Sequence, residues 1–299
     1  MDKKISKFKN NAKYKGIMLI ILSAFFFSMT NTFVKLAGDL PSVQKSFFRN
    51  FVAAIISLVV ILKNNESLKV DKKNMKFLFI RAVLGTIGIL CNFYALDHLL
   101  MPDATILNKM SPFFTLIACW VVLKEKLSPV QVVAIIIAFI GSLFVIKPSF
   151  SNILIVPSII GFCGGLASGT GFSFVRLLGK RGVKGIIIVF FFSAFSCLLT
   201  LPYIILNYHP MSIKQVIILL FTGLAAAGGQ FSITTAYYYA PAREISVYDY
   251  FQIIFAAIIS FVIFHQVPDK YSWIGYGIIF LMAFLMFVYN KDIENKKKC

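Results

Sequence analysis

The sequence predicts an all-α integral membrane protein in which ten transmembrane helices form two inverted five-helix repeats. Three observations lead there. Of 299 residues, 59% are apolar and only 14% charged, with a mean hydropathy of +0.82, whereas a soluble chain carries about 25% charged residues. The apolar residues fall in ten runs, each near the roughly 20 residues a helix needs to cross about 30 Å of hydrocarbon. A shift of 141 residues brings the two halves of the chain into register. The same composition excludes one water-facing globule, which would lack polar surface to cover itself. Five scattered cysteines exclude a disulfide scaffold, and 32 phenylalanines exclude long disorder.

The runs are 16–36, 45–62, 77–96, 104–123, 130–146, 153–175, 185–206, 214–239, 244–264 and 273–289. The first is span-length and no small-residue cleavage pattern follows it, so no cleaved signal peptide is expected. The chain divides into a basic N-terminal segment (1–15), a first repeat (16–147, helices 1–5), a second repeat (148–290, helices 6–10) and a basic tail (291–299). The net charge of +18 sits in clusters between the spans. It forms no stripe interleaved with stacking aromatics, so no nucleic-acid partner is expected. With the N-terminus inside, the inner segments hold 22 Lys and Arg, and the outer ones only Lys45, Lys147, Lys214 and Lys270. That bias predicts a multi-pass protein of the cell membrane with both termini cytoplasmic.

Polar residues inside the spans carry the functional reading, because each needs a partner or water. Span 1 sets Ser28, Asn31 and Lys35 on one face, and span 2 carries Arg49. Span 3 aligns Arg81, Gly85, Gly88 and Asn92, with Tyr94 close by. Span 4 offers Asn108, Ser111 and Thr115, and Pro112 is expected to kink it near its middle, as a gate or as a packing feature. Span 6 holds Ser168, Thr170 and Ser173 beside a Gly161, Gly165, Gly169 stripe read as a packing seam. Span 8 has Gln230, Thr234 and Thr235, and span 9 has Asp249 and Gln252, with Tyr248 and Tyr250 adjacent to Asp249. Convergence of these faces would make one aqueous cavity. The competing reading is that Ser and Thr bond their own helix backbone and the amides bond across helices.

Asp249 is the one acidic residue placed inside a span, about five residues from its boundary. It should face protein or water, either to take a proton or a cationic substrate, or to pair with Arg49, Arg81 or Lys109. Those three bases lie near span ends, where the plainest expectation is a side chain reaching back to the interface. Pro112, Arg49 and Arg81 are therefore assigned gating or structural roles. His98, His209 and His265 fall on the outer side, where solvated side chains are expected. Cys91, Cys119, Cys163 and Cys197 lie in spans and Cys299 ends the chain, with no ligand spacing for a metal. The sequence contains no phosphate loop, no His-Glu-x-x-His and no nucleophile elbow, so neither enzyme activity nor a cofactor is expected, and no ATP drives the chain itself.

The register deepens the fold argument. Gly88–Ala95 lies over Gly229–Ala236, Asp103 over Glu244, and Asn108, Ser111, Thr115 over Asp249, Gln252, Ala256. Five spans per half is odd, so the second half crosses in the opposite sense, a design that places substrate between the halves. Phe48-Arg49 after Pro41, Arg81, and Ala95…Asp103-Ala104 running into Met110-Ser111-Pro112 form a pattern, continued by Lys124-Glu125-Lys126-Leu127-Ser128 and Gly141. It resembles the drug/metabolite transporter superfamily, EamA type, across nearly the whole chain. The second half departs from it, with Gln266 at the loop Glu position and Phe190 where an Arg would match Arg49. The resemblance implies a secondary carrier of a small organic metabolite working by alternating access. An amino acid or related nitrogenous compound is the expected class, with Asp249 favouring a cationic group on it and Tyr94, Tyr248 and Tyr250 suiting an amphipathic body. Protons are the candidate coupling ion and a homodimer the candidate assembly. The alternatives are a membrane-embedded enzyme or lipid-modifying protein, which needs acid/base groups converging at one interface, and a channel.

Overall fold

The computed structural model describes residues 2–99, 101–146, 155–264 and 270–296, and the regular elements among them are all helical. The first half comprises α1 (Asp2–Leu36), α2 (Ser42–Lys63), α3 (Lys72–His98), α4 (Met101–Asn108), α5 (Ser111–Leu123) and α6 (Pro129–Ile146). The second comprises α7 (Ile155–Lys180), α8 (Gly185–Leu206), α9 (Ile213–Tyr239), α10 (Ala242–Ile245), a 3-10 turn (Ser246–Tyr250), α11 (Phe251–Phe264) and α12 (Lys270–Lys296). Nine spans among the described residues are long and apolar enough to cross a bilayer, and Pro129–Phe144 is a shorter apolar helix. Helices are the form that satisfies every backbone group without water. Their outer faces expose Leu198, Ile205, Ile213 and Trp273, as lipid contact requires. His265, Gln266, Lys147 and Cys299 lie outside the described residues.

Two spans expected to be continuous are broken, at equivalent places. Span 4 breaks at Lys109–Met110, between α4 and α5, and span 9 breaks through the 3-10 turn that contains Asp249. The shift of 141 residues lays Asn108 on Asp249 and Lys109 on Tyr250. Pro112 therefore kinks no continuous helix. It occupies the first turn of α5, where its missing donor costs nothing, while its ring bars the bond back to Asn108 that would fuse α4 to α5.

Packing follows an approximate two-fold relation between the halves. Contacts of α1 with α9 and of α3 with α7 change places when the halves are exchanged, as do those of α5 with α7 and α1 with α11, while α2–α8 and α6–α12 map onto themselves. Single residues obey the same register. A Cβ on Gly88 would meet Ser168 at 2.2 Å, and one on Gly229 would meet Phe27 at 2.7 Å. The shift carries the second of these pairs onto the first. The stripe of Gly161, Gly165 and Gly169 seats α7 on the backbone of α4 and α5, with the carbonyls of Leu107 and Ser111 about a carbon's width away.

Polar contacts tie the helices together at each end of the bundle. At one end Glu125 Oε1 accepts from Arg176 Nε (3.3 Å) and pairs with Lys180 (2.6 Å). Arg176 Nη1 also donates to the carbonyls of Tyr237 (3.1 Å) and Tyr238 (2.9 Å), capping α9. Lys15 donates to the Tyr239 hydroxyl, Ser128 meets the Tyr289 hydroxyl, Lys184 pairs with Glu66, and Arg243 donates to the Lys126 carbonyl. This basic face thus collects the segments in which the sequence concentrates its Lys and Arg. At the other end Gln44 and the backbone of His209 exchange two hydrogen bonds, and Gln215 donates to the Ala37 carbonyl. Gly38 (φ +70°) and Gly182 (φ +79°) close α1 and α7 in the left-handed conformation that glycine adopts without strain.

Candidate functional site

A cavity of about 130 Å³ lies between the halves, roomy for several waters at the roughly 10–15 Å³ each requires. Its floor is set by Arg81, Phe172, Phe192 and Ile233, and it runs past Asn92, Asn108, Gln230 and Asp249 to Asn31, Leu96 and Thr105 near the end opposite the basic face. Arg81 lies nine residues in from Lys72, roughly 13 Å at 1.5 Å per residue, so about that depth of packed helix separates the floor from the basic face.

Lys109 stands at the centre. Its Nζ donates to Asp249 Oδ2 (3.0 Å), to the Asp249 carbonyl (3.2 Å) and to Gln252 Oε1 (2.6 Å). Tyr250, its register counterpart, donates from its hydroxyl to the Lys109 carbonyl (3.1 Å). Each break therefore lends a side chain to a backbone carbonyl of the other. Lys109 is 2% exposed, and an unmatched charge at that depth would cost several kcal/mol. The bonds to Asp249 and Gln252 remove that cost, and they occupy the acidic oxygen expected to attract a cationic substrate.

Of the residues the sequence singles out, Asn31, Arg49, Arg81, Asn92, Asn108, Ser111, Gln230, Asp249 and Gln252 all line the cavity. Lys35, Thr115, Thr170, Ser173, Thr235 and Tyr250 lie outside it, as do five more whose surroundings explain why. Tyr248 is 3% exposed and packs in the apolar core, because three residues per turn in the 3-10 segment turn it away from Asp249. Tyr94 is two residues and some 200° round α3 from Asn92 and stacks on His98 at 4.0 Å. Thr234 is fully buried and accepts from Gln230 Nε2 (3.3 Å), holding that amide. Ser28 donates to the carbonyls of Ala24 and Gln252, tying α1 to α11. Pro112 is the remaining one, in the first turn of α5. Arg49 and Arg81 do not reach back to an interface, being 8% and 3% exposed at the cavity wall. Sequence reasoning weighed Lys109 only as one of three partners for Asp249. Nothing in the sequence marks the four wall residues Phe27, Phe93, Phe172 and Phe192 among 32 phenylalanines. Thr30, Thr115 and Thr235 do bond their own helix backbone, at 2.9, 2.9 and 2.6 Å.

The EamA-like transporter family matches this chain twice, over residues 14–147 and 157–288. The chain belongs to that family. As an EamA protein it is a multi-pass membrane transporter. It is 27% identical over 271 residues to the pseudopaline exporter CntI of Pseudomonas aeruginosa, covering 90% of this chain and 94% of that one. It is 25% identical over 288 residues to the S-adenosylmethionine uptake transporter of Rickettsia prowazekii, covering 95% of each. With human solute carrier family 35 member G1 it shares 26% over 283 residues, 86% of this chain and 74% of the relative. A crystal structure superposes with a TM-score of 0.77 at 14% identity, over 95% of this chain and 99% of its own, a likeness of fold.

Proposed function

We propose that this protein is a secondary active transporter that carries a small organic metabolite, an amino acid or related nitrogenous compound, across the cell membrane by alternating access. The observation that carries the reading is a polar cavity lined by both halves, reaching one end of the bundle and cut off from the other by the Glu125–Arg176–α9 cluster. Relatives named for exporting pseudopaline and for taking up S-adenosylmethionine support a metabolite as cargo and leave the direction of transport to the assay. The Lys and Arg bias supports a cytoplasmic basic face, with both termini inside and the cavity facing out.

The two-fold relation also supports a picture of the opposite state. Exchange of the halves carries Arg176 onto Lys35, and Tyr237 and Tyr238 onto Leu96 and Asp97. In the inward-facing form Lys35, exposed here, caps the end of α3 as Arg176 now caps α9, while Arg176 lets go. Asp249 is the only acidic side chain lining the cavity among the described residues. A coupling proton would ride there and displace the Lys109 contact. The test is exchange in proteoliposomes across a panel of metabolites, with and without a pH gradient. Saturable counterflow accelerated by the gradient supports the reading, and conductance without saturation overturns it.

A further inference from the structure

With Asp249 matched by Lys109, the cavity holds two cations more than it holds anions. Among the described residues neither Arg49 nor Arg81 meets a carboxylate. Arg49 is braced from behind: its Nη1 donates to Asn50 Oδ1 (3.3 Å), and Asn50 donates to Ser196 Oγ (2.9 Å) and the Ser46 carbonyl (3.0 Å). Arg81 is gripped by rings, its guanidinium carbon 4.4 Å from the Phe192 centroid and 5.5 Å from that of Phe172. Its Nε is buried and has no hydrogen-bond partner. Gly85 makes the space, since a Cβ there would lie 1.9 Å from Arg81 Nη1. Both guanidinium groups border the same cavity. Two like charges on one cavity where solvation is poor do nothing for stability. They make sense as half of a site whose other half arrives with the cargo.

Resting on the carrier reading above, we infer that Arg49 and Arg81 bind an anionic group of the transported metabolite, a carboxylate, while Asn92 and Gln230 take its uncharged polar groups. The planar fork of a guanidinium matches a carboxylate with two parallel hydrogen bonds. This reverses the expectation, drawn from Asp249, of a cationic cargo.

The full chain in lipid nanodiscs is titrated with succinate, inorganic phosphate or choline at fixed ionic strength, and its thermal midpoint followed. Succinate raises the midpoint of the natural protein, and Arg49→Gln and Arg81→Gln each weaken that response by about tenfold or more. Arg81→Gln removes an unmatched buried charge, so without ligand it unfolds no earlier than the natural chain. Should it fail to fold, Gly85→Ala displaces the guanidinium with its charge intact and produces the same loss. Stabilisation by choline alone, stabilisation by phosphate but not succinate, or an undiminished succinate response in Arg81→Gln overturns the assignment. Vesicles from the same preparation separate the two proposals. Carboxylate binding without exchange sinks the carrier and leaves the anion site. Exchange of a cationic metabolite untouched by Arg49→Gln and Arg81→Gln sinks the anion site and leaves the carrier.

Discussion

Replacing Asp249 with asparagine keeps its shape and removes one charge, which leaves Lys109 the only member of a buried ion pair. At 3.0 Å and an effective dielectric near 20, the Coulomb attraction is about 5 kcal/mol. Breaking a buried pair by removing one partner costs about 3–5 kcal/mol in practice. Lys109 keeps its bonds to Gln252 and to the carbonyl of residue 249, so the lower end applies, about 3 kcal/mol. The second arm, Lys109→Met with Asp249→Asn, removes both charges and should return to within about 1 kcal/mol of the natural protein, a coupling of about 2 kcal/mol or more. Thermal unfolding of the four proteins in one detergent–lipid mixture reads this as a drop of several degrees for each single variant and a near-recovery for the double. A double variant whose loss equals the sum of the singles would refute the claim that the two broken spans are joined through this pair.

Other outcomes follow from single contacts. Gly169→Ala drives a Cβ to 2.5 Å from the Ser111 carbonyl and should destabilise by about 2 kcal/mol or more, whereas Gly277→Ala, with nothing within 4 Å, should be neutral or stabilising by up to about 1 kcal/mol. Both are read from the same melts. Glu125→Gln loosens Arg176 and Lys180 at the basic face and should widen distances between spin labels at residues 126 and 181, and an unchanged distribution would remove this cluster as a seal. Thr234→Val frees the Gln230 amide that Thr234 now holds and should lower transport several-fold while shifting the melt by about 1 kcal/mol or less. Loss of stability without loss of flux would make Thr234 a core residue only.

The spans, the register and the polar faces of α1, α3 and α9 could be read from the sequence because hydrocarbon enforces helices and a period of 3.6 residues. Asn31, Asn92 and Gln230 fall on the cavity for that reason. Tyr248 and Pro112 were misplaced because a pattern over 244–264 or 104–123 does not show where the ladder breaks, and a 3-10 turn changes which neighbours share a face. Arg49 and Arg81 were harder still. A base a few turns inside a span can reach to water or turn inward, and the choice rests on partners such as Asn50, Gly85 and Phe192, far away in sequence or silent in pattern. The sequence offers Lys109 to Asp249 as one base among three, and only the breaks in the two spans bring its side chain to that carboxylate.

The most direct test is sidedness of access to Gln230. In a chain with its five cysteines replaced by serine and Gln230→Cys added, an impermeant thiol reagent is applied to either side of oriented vesicles. Access from the far side alone is expected while Glu125 and Arg176 are cross-linked through engineered cysteines, and access from each side in turn once the link is reduced. Labelling from both sides in the cross-linked protein, or from neither in any state, would contradict the account.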